Sequence, residues 1–188
     1  MDLKKYIKYY DGYLTLKKIS KIIRWANTQK FEAAKVLGND TNGQVDTKIR
    51  NTKTIDFHNS DMSSLTKIHL YNLFTRLSEK VISKYSEDIG LNTEYTKIIQ
   101  VSILKYDNGG FYNYHSDHHF RAPRTLSLIY ILNDDYEGGN LCFKLEGSEY
   151  CIENKSNRVI IWPSNFLYPH TVKPVTKGLR YSIVSWAL

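Results

Sequence analysis

Apolar residues recur at helical intervals twice in the first half of the chain. After Thr15, apolar residues recur with the helical period of 3.6 at Leu16, Ile19, Ile22, Ile23 and Ala26. Lysines and an arginine lie on the opposite face. A second stretch begins at Ser63 or Ser64, either of which can cap a helix, and continues to about Ser86. Two helices are therefore predicted before residue 90. Short strands are predicted at 6–10 and, more weakly, at 45–57.

After Gly90 the apolar positions change to the short runs and alternation that are typical of strands. The predicted strands are 98–106, 125–132, 140–145, 150–152, 159–162, 170–175 and 180–186, and the last two are expected to form a hairpin. Seven or eight short strands with Gly, Asn and Pro turns favour a rolled double-sheet barrel. The predicted fold class is α+β, mainly β: a double-stranded β-helix (jelly-roll or cupin-like) core with N-terminal helices packed on one sheet.

The length of 188 residues and the hydrophobic content of 41% are typical of one globular domain. We expect a single domain over 1–188, in which a mostly helical segment, 1–97, supports a core at 98–188. No apolar run reaches the ~18–20 residues that a membrane-spanning helix needs. The N-terminus also lacks the apolar stretch of a secretory signal. A cytoplasmic protein without a membrane partner is therefore expected.

The net charge of +7 is concentrated in the first half of the chain. Residues 1–98 hold 17 basic and 11 acidic residues, whereas 99–188 hold 9 and 8. A basic segment can contact nucleic acid or an acidic protein, but a lysine-coated helix face is the interpretation we favour. The two cysteines, Cys142 and Cys151, flank a predicted turn at Gly147. Free strand cysteines are expected in a reducing compartment.

The tripeptide His115-Ser116-Asp117 and the distant His170 form the candidate metal site. In a strand, residues i and i+2 point to the same face, so His115 and Asp117 can hold one metal ion together. A histidine from another strand completes a set of two imidazoles and one carboxylate. That set, with open positions beside it, is typical of non-haem iron(II) oxygenases. Taken alone, a His-x-Asp pair occurs by chance on solvated loops, and His170 is an ordinary hydrogen-bonded or surface histidine.

Arg180 follows His170 by ten residues, across a predicted turn. With a rise of ~3.3 Å per residue, a returning strand can bring Arg180 beside the metal. A guanidinium there can bind a carboxylate through two parallel hydrogen bonds. A dicarboxylate such as 2-oxoglutarate, which chelates iron at one end, needs such an anchor at the other. Arg180 alone is more often a charge at a strand edge.

Three motifs in these strands resemble those of a known family. The segment from Tyr106 to Asp117 resembles the Tyr-x-x-Gly-x-x-Tyr-x-x-His-x-Asp motif of prolyl 4-hydroxylase-like enzymes, and 138–141 is similar to their Gly-Gly-x-Leu hairpin. The run from Trp162 to Ser182 resembles the bacterial PKHD-type hydroxylases. The stretch from about residue 98 to 188 thus resembles the catalytic core of the iron(II)/2-oxoglutarate-dependent oxygenases. Arg180 stands where animal prolyl hydroxylases carry a lysine.

The resemblance implies iron(II) ligation by His115, Asp117 and His170, with 2-oxoglutarate and O2 as cosubstrates and ascorbate as a further reductant. Arg180 is expected to be the catalytic anchor of the 2-oxoglutarate carboxylate. The other residues that the resemblance and strand parity place in the pocket are Tyr106 and Ser182 beside that carboxylate, Trp186 as its wall, and Tyr112 near the substrate. An ordinary core tryptophan is an equal interpretation of Trp186.

The resemblance implies hydroxylation of an unactivated C–H bond, with release of succinate and CO2. The preferred target is a prolyl residue in a protein or peptide. Asp117 favours hydroxylation because related halogenases have Gly or Ala at this position. Arg124 precedes a core strand, where it either faces the substrate or is a surface charge. Arg158 has the same two interpretations, and His118 and His119 are expected in a loop or at the pocket rim.

Three alternatives remain open. The same iron chemistry serves oxidative demethylases of nucleic-acid bases, although those enzymes have two arginines on the last strand, where this chain has Arg180 and Trp186. A non-catalytic ligand-binding barrel would be expected to lack one of the motif residues. A zinc hydrolase can use two histidines and an aspartate, but it leaves Arg180 unexplained. A nucleic-acid partner is thus ranked below a protein or peptide.

Overall fold

The computed structural model describes residues 2–36, 43–58, 64–90 and 97–188. A 3-10 turn at Leu3–Tyr6 precedes the helices α1 (Leu16–Asn27) and α2 (Leu65–Ile89). The strands are β1 (Lys8–Asp11), β2 (Glu32–Ala33), β3 (Arg50–Asn51), β4 (Lys53–Phe57), β5 (Ile98–Tyr106), β6 (Phe111–His115), β7 (Leu126–Ile131), β8 (Glu137–Gly138), β9 (Leu141–Leu145), β10 (Ser148–Cys151), β11 (Arg158–Pro163), β12 (His170–Val172), β13 (Val175–Lys177) and β14 (Arg180–Ala187).

Both helices begin where the sequence predicts. The Thr15 hydroxyl accepts a hydrogen bond from the backbone N–H of Lys18, and the Ser64 hydroxyl accepts one from Lys67, each at 3.3 Å. Of the two candidate caps of α2, Ser64 is therefore the cap, and Ser63 lies outside the described residues. The second helix ends at Gly90, whose φ of 67° is the left-handed conformation that glycine adopts readily.

Within the described residues, the strands form two sheets that face each other and one short pair. The larger sheet has the order β1-β11-β7-β14-β5-β4-β2, and the smaller has the order β10-β9-β12-β6-β3. The remaining strands, β8 and β13, pair with each other. The strand pairs are antiparallel, and the arrangement is the predicted jelly roll.

Alternation along β14 assigns its two faces to two hydrophobic cores. Tyr181, Ile183 and Ala187 pack with α1 and α2 in the core outside the larger sheet. Val184 and Trp186 belong to the core between the two sheets. Arg180 and Ser182 share the parity of that inner face. The helices thus cover one side of the larger sheet, as predicted, and leave its other side to the site.

The strand pairing corrects three sequence-based predictions. The hairpin of 170–175 with 180–186 is wrong, because β12 pairs with β6 and β9 whereas β14 pairs with β5 and β7 in the opposite sheet. From residue 97 onward, where all residues are described, there are ten strands instead of seven or eight. The predicted strand at 45–57 is divided into β3 and β4, which join different sheets.

The prediction of free cysteines is also wrong. Cys142 and Cys151 form a disulfide, with their Cα atoms 3.9 Å apart. The two-residue turn between β9 and β10 has positive φ at Glu146 and Gly147, at 48° and 82°, as hairpin turns that match strand twist require. This turn places Cys142 directly opposite Cys151 in the register.

The first strand is attached to the larger sheet by a buried arginine. The Arg158 guanidinium donates to both carboxylate oxygens of Asp11, at 2.8 and 3.1 Å. The hydrogen bond from Arg158 lowers the pKa of Asp11 to about 2. Arg158 is therefore neither a substrate-facing residue nor a surface charge, because it stabilises the pairing of β1 with β11. Among the described helices, none has the length and apolar character needed to span a membrane.

Candidate metal and cosubstrate site

The three predicted metal ligands meet between neighbouring strands of the smaller sheet. His115 is the last residue of β6 and His170 the first of β12, and the antiparallel register sets the two residues opposite each other. Asp117 lies just beyond β6, in a bend. The sequence argument assumed that strand parity brings Asp117 to the metal, but Asp117 lies outside the strand. The turn of the chain after His115 brings its side chain to the histidines instead.

The donor atoms of these residues form a compact set. His115 Nε2 lies 3.6 Å from Asp117 Oδ1, and His170 Nε2 lies 3.4 Å from Asp117 Oδ2. One donor atom from each of the three residues lies within 4.8 Å of the others. With bonds of ~2.1 Å, adjacent donors of an octahedral metal lie about 3 Å apart. The three residues therefore fit a single transition-metal ion with little movement.

Backbone carbonyls orient both imidazoles toward that metal position. His115 Nδ1 is 2.8 Å from the carbonyl oxygen of Asn113, and His170 Nδ1 is 3.1 Å from that of Tyr168. Carbonyl oxygens only accept hydrogen bonds, so the Nδ1 atoms carry the protons. Each Nε2 then presents its lone pair toward Asp117, which is the usual outer arrangement around a metal-binding histidine.

The site holds Asp117 and His170 in the protonation states that bind metal. Burial lowers the pKa of His170 to about 4, so its imidazole is neutral at pH 7. Burial alone would raise the pKa of Asp117, but neighbouring positive charge, including that of Arg124, outweighs it and lowers the pKa. A carboxylate and neutral imidazoles are the forms required for ligation.

Two serines that the sequence analysis missed support the carboxylate. Ser127 of β7 donates a hydrogen bond of 2.7 Å to Asp117 Oδ2, and its hydroxyl lies 2.7 Å from that of Ser164. Both serines are almost fully buried. The available signal was a serine inside the otherwise apolar strand 126–131. The contact of this strand with the metal loop, through the Ser127 side chain, was not visible in the sequence.

Arg180 lies in the larger sheet, across the space between the sheets from the histidines, and is 0% exposed. It is opposite Tyr106 in the β14–β5 register, with its guanidinium 5.0 Å from the ring centre of Tyr106. Its Nη1 donates to the Ser182 hydroxyl at 2.9 Å. Among the described residues, Nε and Nη2 of Arg180 have no hydrogen-bond partner. Buried unpaired donors are costly, so this geometry fits a carboxylate bound there.

The Gly-Gly motif provides the space for that arginine. A Cβ atom at Gly138 would lie 2.2 Å from the carbonyl oxygen of Pro174. At Gly139 it would lie 3.0 Å from Arg180 Cδ, and both glycines have positive φ. Glycine is therefore required here by close packing as well as by backbone conformation.

Arg124 and Trp186 lie together on the inner side of the larger sheet, next to the metal ligands. The Arg124 guanidinium is 3.8 Å from the ring centre of Trp186, and its Nη1 donates to the backbone oxygen of Asp117 at 3.2 Å. Arg124 is therefore half-buried beside the site, which excludes the surface-charge interpretation. Trp186 is partly exposed and packs against the inner core. His118 and His119 lie in the adjacent loop, as expected.

Tyr112 of β6 contacts a metal ligand directly. Its ring stacks on that of His115, with centroids 3.6 Å apart and planes inclined by 20°. Burial raises the pKa of the Tyr112 hydroxyl. The phenol is therefore neutral at pH 7. The structure thus brings every predicted site residue to one space between the sheets, although their roles there follow only from chemistry.

Comparison with known proteins agrees with this chemistry. Residues 101–188 match the family model of the 2OG-Fe(II) oxygenase superfamily. This match covers the C-terminal part of the chain, which is similar to this superfamily. A superfamily of this name uses iron(II), 2-oxoglutarate and O2, and the His115, Asp117 and His170 cluster is a possible iron site.

Curated proteins similar to about half of this chain are PKHD-type hydroxylases. One from Synechococcus sp. (strain CC9902) is 33% identical over 94 residues, which cover 48% of this chain and 41% of the relative. Another, from Aliarcobacter butzleri (strain RM4018), is 31% identical over 99 residues, covering 47% and 43%. The chain thus spans less than half the length of the curated relatives it matches.

Solved structures show the same fold over nearly the whole chain. A Trichoplax adhaerens prolyl hydroxylase, in complex with a peptide fragment of the hypoxia inducible factor oxygen degradation domain, has a TM-score of 0.79 at 19% identity and covers 98% of this chain and 84% of its own. A Pseudomonas putida prolyl-4-hydroxylase has a TM-score of 0.69 at 19% identity, with 97% and 92% covered. The N-terminal strands and helices are therefore part of the shared fold.

Proposed function

We propose that this protein is an iron(II)- and 2-oxoglutarate-dependent oxygenase that hydroxylates an unactivated C–H bond of a protein or peptide, with a prolyl residue as the target. The observation that carries the proposal is the convergence of two distinct binding features. The metal ligands meet on the smaller sheet, and a fully buried arginine with two unpaired donors faces them from the larger sheet.

The residues divide into a metal set and an anchor set. His115, Asp117 and His170 would hold iron(II), which supplies the redox chemistry that couples conversion of 2-oxoglutarate to succinate and CO2 with C–H hydroxylation. Arg180 would bind the distal carboxylate of 2-oxoglutarate through two parallel hydrogen bonds, assisted by the Ser182 hydroxyl. The distance between the sheets then fixes the orientation of the cosubstrate.

The wall of the site determines what else enters it. Tyr106 and Trp186 are aromatic surfaces beside the anchor and beside Arg124, respectively. Trp162 and Phe143 pack around the His170 ring, with centroids 4.9 and 5.8 Å away. These apolar contacts exclude water from the ligands, which protects the reacting atoms from side reactions.

A prolyl target is supported by likeness alone. The relatives carry the PKHD-type hydroxylase name, and the solved structures include prolyl hydroxylases, one of them with a peptide bound. We extend that substrate class to this chain because Tyr112 and Arg124, which contact the metal ligands, are only partly buried and can meet a substrate there. We also propose that 1–97 and 98–188 act as one domain, because α2 packs directly on the strands of the larger sheet.

Succinate release with iron(II), 2-oxoglutarate and O2 is the direct test. The purified chain would be given proline-containing peptides, free amino acids, cell proteins and an alkylated oligonucleotide, and product mass would be recorded. We expect succinate and a gain of one oxygen on a peptide. Loss of a methyl group from the oligonucleotide, without peptide oxidation, would show a demethylase instead.

Two matched variants distinguish the site from the rest of the surface. Asp117→Ala should abolish succinate release because the metal loses its carboxylate ligand, whereas Asp107→Ala removes a partly exposed carboxylate that pairs with Lys53, outside the metal set. His170→Ala should behave like Asp117→Ala, and the exposed His69→Ala is its control. Turnover by Asp117→Ala at the wild-type rate would contradict the proposal.

A further inference from the structure

A second arginine, outside the predicted site residues, lies near the metal ligands on the edge strand of the smaller sheet. Arg50 belongs to β3, the edge strand of the smaller sheet, and is opposite Tyr112 in the β3–β6 register. Its guanidinium lies 4.6 Å from the ring centre of Tyr112, which itself stacks on His115. Arg50 is therefore connected to a metal ligand through one aromatic ring.

The guanidinium of Arg50 is held in place without an acidic partner. Its Nη1 donates to the backbone oxygen of Lys35 at 3.1 Å, and its Nε is buried with no hydrogen-bond partner. Within the described part of the chain, no carboxylate lies within ion-pair distance of Arg50. A fixed, half-buried cation with an unpaired donor is a binding feature for an anion.

The neighbouring charges leave this cation unbalanced. Arg124, the other arginine near these rings, stacks on Trp186 at 3.8 Å and donates to the backbone oxygen of Asp117 at 3.2 Å. The carboxylate next to Arg124 is Asp117, at 3.8 Å. When Asp117 ligates a metal cation, its charge is shared with that metal. The carboxylate beside Arg124 is therefore not free to balance the charge of Arg50.

We propose that Arg50 binds a carboxylate of the substrate, so that the preferred substrates are peptides with an acidic residue close to the reacting residue. The inference rests on the proposed function. It adds a specificity-determining residue, because an anchor near the metal ligands selects which residues flank the target. Arg180 is not available for this role, since its donors lie deep between the sheets and face the cosubstrate.

The test uses a set of short peptides in which one proline is flanked, at each position in turn, by Glu or by Gln. Binding to the iron(II)- and 2-oxoglutarate-loaded full chain is measured without O2, and kcat/KM is measured with O2. A charge-assisted hydrogen bond contributes enough to favour the best Glu peptide over its Gln match by about 10- to 100-fold. The preference should appear in KM more than in kcat, because the contact is made on binding.

Variants distinguish a specific contact of Arg50 with the substrate from a general effect of positive charge on this surface. Arg50→Gln should remove the preference for Glu, and Arg50→Lys should retain part of it, because the charge remains while the planar fork is lost. Lys48→Gln is the control, since it removes one exposed positive charge two residues away. A preference that survives in Arg50→Gln, or disappears equally in Lys48→Gln, would overturn the inference.

The outcomes also separate this inference from the function on which it rests. Succinate formation by the wild-type protein with equal use of Glu and Gln peptides would overturn the role of Arg50 and leave the oxygenase proposal intact. Selective binding of Glu peptides that depends on Arg50, without succinate under any condition, would do the reverse. Stronger binding of a single-stranded oligonucleotide than of any Glu peptide would also overturn the inference.

Discussion

Ser127 offers a test of the metal site that does not depend on the substrate. Its hydroxyl is the donor of the 2.7 Å hydrogen bond to Asp117 Oδ2, and the two side chains are 1% and 7% exposed. Ser127→Ala removes this donor and leaves all three metal ligands in place. The carboxylate would then lose the contact that fixes its orientation between the imidazoles.

The magnitude follows from the type of hydrogen bond. A buried hydrogen bond to a charged group contributes about 1.5–3 kcal/mol, and loss of such an outer contact lowers metal affinity by about 10- to 100-fold. Since tenfold corresponds to about 1.4 kcal/mol, the two estimates agree. We therefore expect the iron(II) Kd of Ser127→Ala to rise by about 10- to 100-fold.

The assay is anaerobic calorimetric titration of the metal-free protein with iron(II). Ser164→Ala is the matched control, because it removes a buried hydroxyl that contacts Ser127 but not Asp117. It should change the affinity much less than Ser127→Ala does. Thermal unfolding of both variants would check that each remains folded. An unchanged iron(II) affinity in Ser127→Ala, or equal losses in the two variants, would refute the assigned role of Ser127.

Other predictions concern the anchor, the hairpin and the sheet edge. Gly139→Ala should weaken 2-oxoglutarate binding in calorimetry because its Cβ would lie 3.0 Å from Arg180 Cδ, whereas Gly147→Ala, with similar backbone strain but open space, should not. Replacing both cysteines by Ser should reduce the free energy of unfolding by about 2–3 kcal/mol, measured in urea. Asp11→Asn should destabilise the protein at pH 7, because the hydrogen bond from its arginine partner lowers the pKa of Asp11 to about 2. The pKa is lower in the folded state, so the stability difference should shrink as pH falls from about 4 toward 2.

The sequence predicted best what depends on local spacing. The helix caps, the period of α1 and the antiparallel β-rich core follow from residues close together in the chain. The metal ligands were predicted because few residue types bind iron, and because His115 and Asp117 are near neighbours. Arg180 was predicted for its chemistry, although its strand was expected to pair with the strand of His170, whereas it pairs with β5 and β7.

Properties that depend on which distant strands meet were not predicted. The hairpin prediction joined β12 to β14 because they are close in sequence, but β13 pairs with β8 and lets the chain cross to the opposite sheet. Arg50 was missed for the same reason, since its significance depends on the β3–β6 pairing. The disulfide was missed because free cysteines were expected in a reducing compartment. The two-residue turn, which sets Cys142 opposite Cys151, was not used for the prediction.

The central claim is that the metal ligands and Arg180 bind 2-oxoglutarate together from opposite sheets. Anaerobic titration of the iron(II)-loaded chain with 2-oxoglutarate tests it most directly. We expect one equivalent to bind per chain, with binding lost when the metal is chelated and strongly weakened in Arg180→Met, while Arg121→Met, an exposed arginine, behaves as wild type. Equal binding with and without iron(II), or wild-type affinity in Arg180→Met, would contradict the account.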